Sequence, residues 1–237
     1  MTFVSFSGMD GAGKSTQIEA LRCHLTASGL RVRIQAFWDD VAWLGKLREF
    51  SSHKLFKSER GIGSPEKPVN RRDKNVQTWY LSVARFFLYT LDAISLRAVA
   101  SKLRRDDDDV VIFDRYLYDE LANLPLKGRL ARAYTRVVLR CTPSPHVAFL
   151  LDADPLQARA RKPEYSVEFL QKTRESYGVV CQLAKEITIV EPLPQSEVQR
   201  FIVQKVDENL HSRLRVNRPF PETVSGCASG SAQATEP

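Results

Sequence analysis

Near its amino end the chain carries Gly8-Met9-Asp10-Gly11-Ala12-Gly13-Lys14-Ser15-Thr16, which fits the pattern G-x-x-x-x-G-K-[ST] of a phosphate-cradling loop. The apolar run Phe3-Val4-Ser5-Phe6 precedes it and reads as a buried strand; Gln17-Ile18-Glu19-Ala20-Leu21 follows it and reads as a helix. Gly8, Gly11 and Gly13 let successive backbone N–H groups converge on an anion where a side chain would block the approach. The helix starts near Gly13, so its unpaired N–H groups and the positive end of its dipole face the same point. Lys14 is placed to reach the outer phosphates, and the Ser15 hydroxyl to ligate Mg²⁺. The competing reading is a plain glycine-rich turn between strand and helix.

The remaining pattern alternates short apolar strands with helices. Strands are expected at 2–6, 31–37, 110–113, 146–151 and 187–190, and helices at 14–28, 41–50, 73–103, 128–140, 154–161, 166–185 and 195–210. Such an order predicts an α/β fold with a parallel sheet of about five strands covered by helices on both faces, ligands binding at the strands' carboxyl ends. In the 73–103 helix, Val76, Tyr80, Val83, Phe87, Leu91, Ile94 and Val99 recur at helical spacing. The segment 51–70, with Pro65, Pro68, Gly61 and Gly63 among many charges, reads as a mobile loop. The domain is expected over 1–212, with a disordered tail over 213–237 that is rich in Pro, Ser, Gly and Ala.

Composition narrows the class. The 237 residues are 43% hydrophobic, enough for a sizeable core, and no apolar run reaches membrane-spanning length. The start shows no signal-peptide pattern, so a cytoplasmic protein is expected. Cys23, Cys141, Cys181 and Cys227 form no C-x-x-C pair and read as reduced thiols, with Cys23 expected to pack inside. The net charge of +7 fits either nucleic acid or phosphate-bearing ligands. Without a basic stripe interleaved with aromatics, small phosphate ligands explain it with fewer assumptions. Asp106 to Asp109 reads as a solvated turn, with metal binding as the competing reading.

Two further constellations lie at strand ends. Phe113-Asp114-Arg115-Tyr116 puts a carboxylate able to hold Mg²⁺ beside a guanidinium able to neutralise a second phosphate. A buried ion pair capping the strand is the alternative. Leu151-Asp152-Ala153-Asp154-Pro155 leads into a short helix bearing Arg159, Arg161 and Lys162, which reads as a lid over about 156–166 or as a solvated basic face. Aromatic side chains near the long helix read mostly as core; Trp38, just past a strand's carboxyl end, is the exception.

These residues resemble the thymidylate kinase family of P-loop nucleoside monophosphate kinases, over about residues 1–205. The loop Gly8 to Gln17, the Asp114-Arg115-Tyr116 triplet and the Leu151 to Pro155 strand end carry the likeness. The resemblance implies a three-layer P-loop NTPase fold and phosphoryl transfer from ATP–Mg²⁺ to a nucleoside monophosphate, dTMP giving dTDP. Gly8, Asp10, Gly11, Ala12, Gly13, Lys14, Ser15 and Thr16 would form the nucleotide site, Ser15 and Asp114 would hold the metal, and Lys14, Asp114, Arg115, Arg159 and Arg161 would carry catalysis. Asp10 would approach the acceptor sugar. A homodimer is also implied. The acceptor side departs from the family: Phe37-Trp38-Asp39-Asp40 stands where an acidic-proline loop is usual, and either Arg72 or Arg85 would replace an arginine of the long helix. A deoxynucleoside or other small-molecule kinase, with Asp39 as base, and a nucleotide-binding regulatory protein with little turnover therefore remain as alternatives.

Overall fold

The structure is a computed structural model that describes residues 1–41 and 79–217, with side chains over 1–41 and 84–213. The expected helix 41–50, the loop 51–70, Arg72 and the tail beyond Asn217 lie outside the described residues.

Five strands form one sheet: β1 (Thr2–Ser7), β2 (Val32–Ala36), β3 (Val110–Asp114), β4 (Val147–Leu151) and β5 (Ile187–Val190), in the order β2-β3-β1-β4-β5. Every adjacent pair is parallel, with Phe6 opposite Asp114 on one side and Phe149 on the other. This is the three-layer α/β architecture expected. The chain fills one side of β1 first and then crosses to the other, so a crevice opens beyond the carboxyl end of β1, where ligands of such sheets bind.

Side-chain alternation on the central strands sorts residues between the two faces. Phe3, Val111 and Phe113 point to one core with α2 (Trp79–Leu103), α3 (Leu117–Leu121), α4 (Arg129–Cys141) and α6 (Val167–Leu183). Val4, Phe6, Ile112 and Phe149 point to the other, against α1 (Lys14–Ala27) and α7 (Gln195–Asn217). Phe3 and Phe113 meet edge to face with ring centroids 5.6 Å apart, while Phe6 and Phe149 pack tilted at 5.3 Å. All four are essentially inaccessible, each contributing about 1.5–3 kcal/mol of transfer free energy. The short helix α5 (Pro155–Arg161) and α6 that follows close over the carboxyl end of the sheet.

Three local expectations change. The long helix forms, but its buried face is Tyr89, Ala93, Leu96, Ala100 and Leu103, while Phe87 and Ile94 are exposed. Apolar residues occur on most of its circumference, so spacing alone does not choose the face. Cys23 is exposed, its thiol directed at Glu19, because α1 buries Ile18, Leu21 and Leu25 instead. Helix α7 runs to Asn217, past Arg213; Val206 and Leu210 anchor it on the core, and the residues beyond are compatible with helix.

The acidic run is a turn held by cations rather than a metal cage. Arg33 pairs with Asp106 at 2.8 Å and Asp108 at 2.7 Å, and Asp109 accepts from the Arg31 backbone at 2.9 Å. It lies at the amino end of β3, away from the crevice. Among the described residues no helix is long and apolar enough to cross a membrane.

Candidate active site

The loop between β1 and α1 has a left-handed backbone at Gly8, Gly11 and Gly13, with φ of +140°, +85° and +88°. A Cβ on Gly8 would stand 2.5 Å from the Leu151 carbonyl oxygen, so the loop lies directly on the end of β4. A Cβ on Gly11 would collide with the Ala158 carbonyl oxygen and lie 3.0 Å from its Cα, so α5 rests on the loop. Gly13 is the residue before the first turn of α1, and Ser15 and Thr16 are exposed there beside free helix N–H groups. Asp10 and Ala12 fill the loop between the glycines, both half-buried.

Lys14 is 7% exposed, and its ammonium donates to the carbonyls of Gly8 at 2.8 Å and Met9 at 2.9 Å. Burial and the nearby Arg115 charge pull its pKa down to about 8, against the opposing fields of Asp119, Asp10 and Asp114. A buried ammonium whose charge is disfavoured in this way gains from the arrival of an anion.

The end of β3 supplies the other wall. Asp114 is half-buried, and its charge acts on both Lys14 and Arg115. Arg115 has φ +70°, an unusual conformation for a residue with a side chain, and its N–H donates to the Phe6 carbonyl at 2.9 Å. Its guanidinium pairs with Asp10 of the loop and with Asp119 of α3 at 3.1 Å. Burial opposes its charge, but Asp119 and Asp10 outweigh that and raise its pKa.

Asp119 was not singled out in the sequence. Its carboxylate accepts from Ser7 Oγ at 2.6 Å, Tyr116 N at 3.1 Å, Arg115 Nη1 at 3.1 Å and Tyr177 Oη at 2.8 Å, with Gly8 N at 3.5 Å. The local signal was there: Tyr116 caps α3 and Asp119 is its third residue, the place of the acid in a capping box.

The segment expected as a lid begins with α5. Asp154 caps it by accepting from Leu156 N and Gln157 N. Arg161 is exposed and donates to the Gly11 carbonyl at 3.4 Å, so it lies over the loop. Arg159 is half-buried, and its charge acts on Glu168 of α6. Asp152 at the end of β4 is held by Arg174 of α6 through two contacts, one of 2.8 Å from Nε.

Two clefts flank the loop. On the β4 side, a cavity of about 310 Å³ is lined by Gly13, Thr16, Gln17, Gln157, Arg161 and Glu191, among others. On the β3 side, a narrow space of about 30 Å³ is lined by Asp10, Trp38, Arg115, Asp119, Asn123 and Tyr177, among others. Arg85, on α2, does not line that space. Trp38 lies in a π-helical turn, Phe37–Val41, packed edge to face on Phe37 at 5.9 Å; Asp39 is exposed, and Asp40 accepts from Ala36 N.

No group of three or more His, Cys, Asp or Glu able to cage a metal occurs among the described residues. The set at the loop suits Mg²⁺ nonetheless: the Ser15 hydroxyl and the Asp114 carboxylate are hard oxygens, and Mg²⁺ carried by phosphates takes one or two such protein ligands.

No family model matches the chain. Known proteins do. A protein named probable thymidylate kinase from Methanosphaera stadtmanae is 24% identical over 83% of this chain and 92% of its own length. A thymidylate kinase of Prosthecochloris aestuarii is 25% identical over 90% of this chain and 96% of its own. One from Bifidobacterium longum subsp. infantis is 26% identical over 96% and 95%. Similarity of this extent, on a parallel five-stranded sheet with a glycine-rich loop after β1, supports a thymidylate kinase-like family for this chain.

Proposed function

We propose that this protein transfers the γ-phosphoryl group of ATP to a nucleoside monophosphate, with dTMP giving dTDP as the reaction indicated by its relatives' names. The observation that carries the reading is the Arg115–Asp10 ion pair. It sets a guanidinium from the end of β3 against the middle of the phosphate loop, between the buried Lys14 and the β3-side cleft.

The triphosphate lies along the loop, with its nucleoside in the roomier β4-side cleft. Lys14 leaves the Gly8 and Met9 carbonyls for the outer phosphates, and Arg161 spans the loop from the lid side. The acceptor occupies the β3-side cleft, whose walls must part to admit it, and its phosphate meets Arg115. An acceptor phosphate oxygen bonds to the γ-phosphorus as the β–γ bridging oxygen leaves with ADP. Positioning and charge neutralisation supply the rate. Mg²⁺, held by Ser15 and Asp114, would neutralise charge on the bridging phosphates.

A second reading has one observation in its favour. Among the described residues, Arg115 is the single cation lining the acceptor cleft, and two carboxylates share it. A neutral acceptor hydroxyl would suit that balance, with Asp39 near the β2 end as base. ADP formation from ATP–Mg²⁺ with dTMP, dUMP, dCMP, UMP and thymidine decides: turnover of dTMP is expected, and a thymidine-only product overturns the proposal in favour of the second reading. ATP binding without ADP release from any acceptor leaves a regulatory nucleotide-binding protein.

A further inference from the structure

We propose that Asp119 is a positioning residue: it fixes the Arg115 guanidinium toward the acceptor and ties that geometry to the entrance of the phosphate loop and to α6. This inference rests on the phosphoryl-transfer reading above and names a part of that site which the motifs do not contain.

A helix-capping acid needs only its local contact to Tyr116 N. Asp119 has far more. Its side chain is 2% exposed, and its partners come from separate elements: Ser7 and Gly8 at the end of β1, Arg115 between β3 and α3, and Tyr177 from the middle of α6. Ser7 lies 112 residues away in sequence and Tyr177 58. Burying a carboxylate is costly unless donors and a counter-charge surround it, and here they do. Charge-assisted bonds to two elements of the site and one outside it make this carboxylate a mechanical junction.

The ends of the Arg115 guanidinium are held unequally. Nη1 is bound by Asp119, which is almost fully enclosed, while Nη2 faces Asp10 on the loop, whose side chain is 15% exposed. An entering acceptor phosphate can therefore displace Asp10 and not Asp119. Arg115 then exchanges one partner and keeps the other, which preserves its direction. Tyr177 extends the junction. It is buried, and that burial together with Asp119 drives its phenol pKa well up, so it stays a donor at any working pH. Arg174, one turn earlier on α6, grips Asp152 where the lid segment begins. One face of α6 thus holds both the root of the lid and the residue that aims Arg115.

The test compares the unmodified chain with Asp119→Asn, Tyr177→Phe, Arg115→Ala and the Asp119→Asn/Arg115→Ala pair. The kinetic readout is KM for dTMP against the calorimetric affinity for ATP–Mg²⁺. The Asp119→Asn change is expected to raise acceptor KM about tenfold or more with ATP affinity within about threefold, and to add little once Arg115 is gone. Tyr177→Phe is expected to shift acceptor KM in the same direction by less. Independent additive losses, or parallel loss of ATP affinity and melting temperature, would show a merely structural acid and overturn the proposal. The second readout needs no turnover. In ¹⁵N NMR of the arginine side chains, the Arg115 guanidinium is expected to give a slowly rotating signal that averages in Asp119→Asn; an unchanged signal overturns the proposal as well. Absence of turnover in the unmodified chain would count against the activity, while the NMR comparison still decides on Asp119.

Discussion

Gly11 supports Ala158: the backbone of α5 lies against the glycine loop where any side chain on residue 11 would stand. Helix α5 and the loop are therefore fitted to one another by the absence of a Cβ. Gly11→Ala would meet both a left-handed backbone at φ +85° and a collision with the Ala158 carbonyl. The two penalties together are about 2–5 kcal/mol. The expected result is a lower melting temperature and ATP affinity weaker by at least about tenfold. An Ala variant with native ATP affinity in calorimetry would show that α5 does not rest on the loop in solution.

Lys14→Met separates binding from folding. The turnover number is expected to fall by about a hundredfold or more, the scale for removing a donor aimed at developing charge. Stability of the nucleotide-free protein is expected to hold or rise below pH 8, because the native state disfavours the ammonium there. Denaturant midpoints and ADP release together check both halves.

The same lysine predicts how ATP affinity depends on pH. Its pKa is about 8 in the free protein, and a bound phosphate restores it toward the ordinary value of 10.5. ATP binding then takes up a proton above pH 8, so affinity is flat below that point and weakens about tenfold per pH unit above it. For folding without nucleotide the sign is opposite: the unfolded chain binds the extra proton between pH 8 and 10.5, so stability rises across that window. Calorimetry in buffers of different ionisation heat measures the uptake, and Lys14→Met should abolish it.

Arg161 is exposed and reaches the loop carbonyl of Gly11 at 3.4 Å, so its removal should spare the fold. Arg161→Ala is expected to lower the turnover number about tenfold to a hundredfold with the melting temperature unchanged. Unchanged turnover would remove this arginine from the transfer step.

At the far end of the sheet, Phe3 N donates to His146 Nδ1 at 2.7 Å. Burial and the charges of Arg213, Arg104 and the amino terminus lower the His146 pKa to about 4. The unfolded imidazole, near 6.5, binds the extra proton, so stability should fall as pH drops from 6.5 through 4. His146→Asn offers an acceptor that does not titrate and should flatten the denaturation midpoints over that range; an unaltered slope would assign the acid sensitivity elsewhere.

Much of the frame could be read from local pattern. The strand 187–190 matches β5, and the four-residue run Val110 to Phe113 lies within β3, because buried parallel strands write themselves as apolar runs. The phosphate loop was legible because its backbone demands glycine at fixed places. The buried face of α2 was not, since Phe87 and Ile94 look as apolar as Leu96. Asp119 escaped for another reason: its meaning lies in Ser7 and Tyr177, which adjoin it only after the chain folds. The roles of Arg72 and of the 51–70 loop concern residues outside those described.

The placement of β1 between β3 and β4 has an evolutionary consequence. Elements that would carry the donor nucleotide flank one side of the loop, while Trp38, Arg115 and Asn123, which line the proposed acceptor cleft, flank the other. A lineage can redraw the segment after β2 and so change what is phosphorylated, leaving intact the machinery that handles the triphosphate. Such partition lets distant relatives share a grip on one substrate while diverging in their choice of the other.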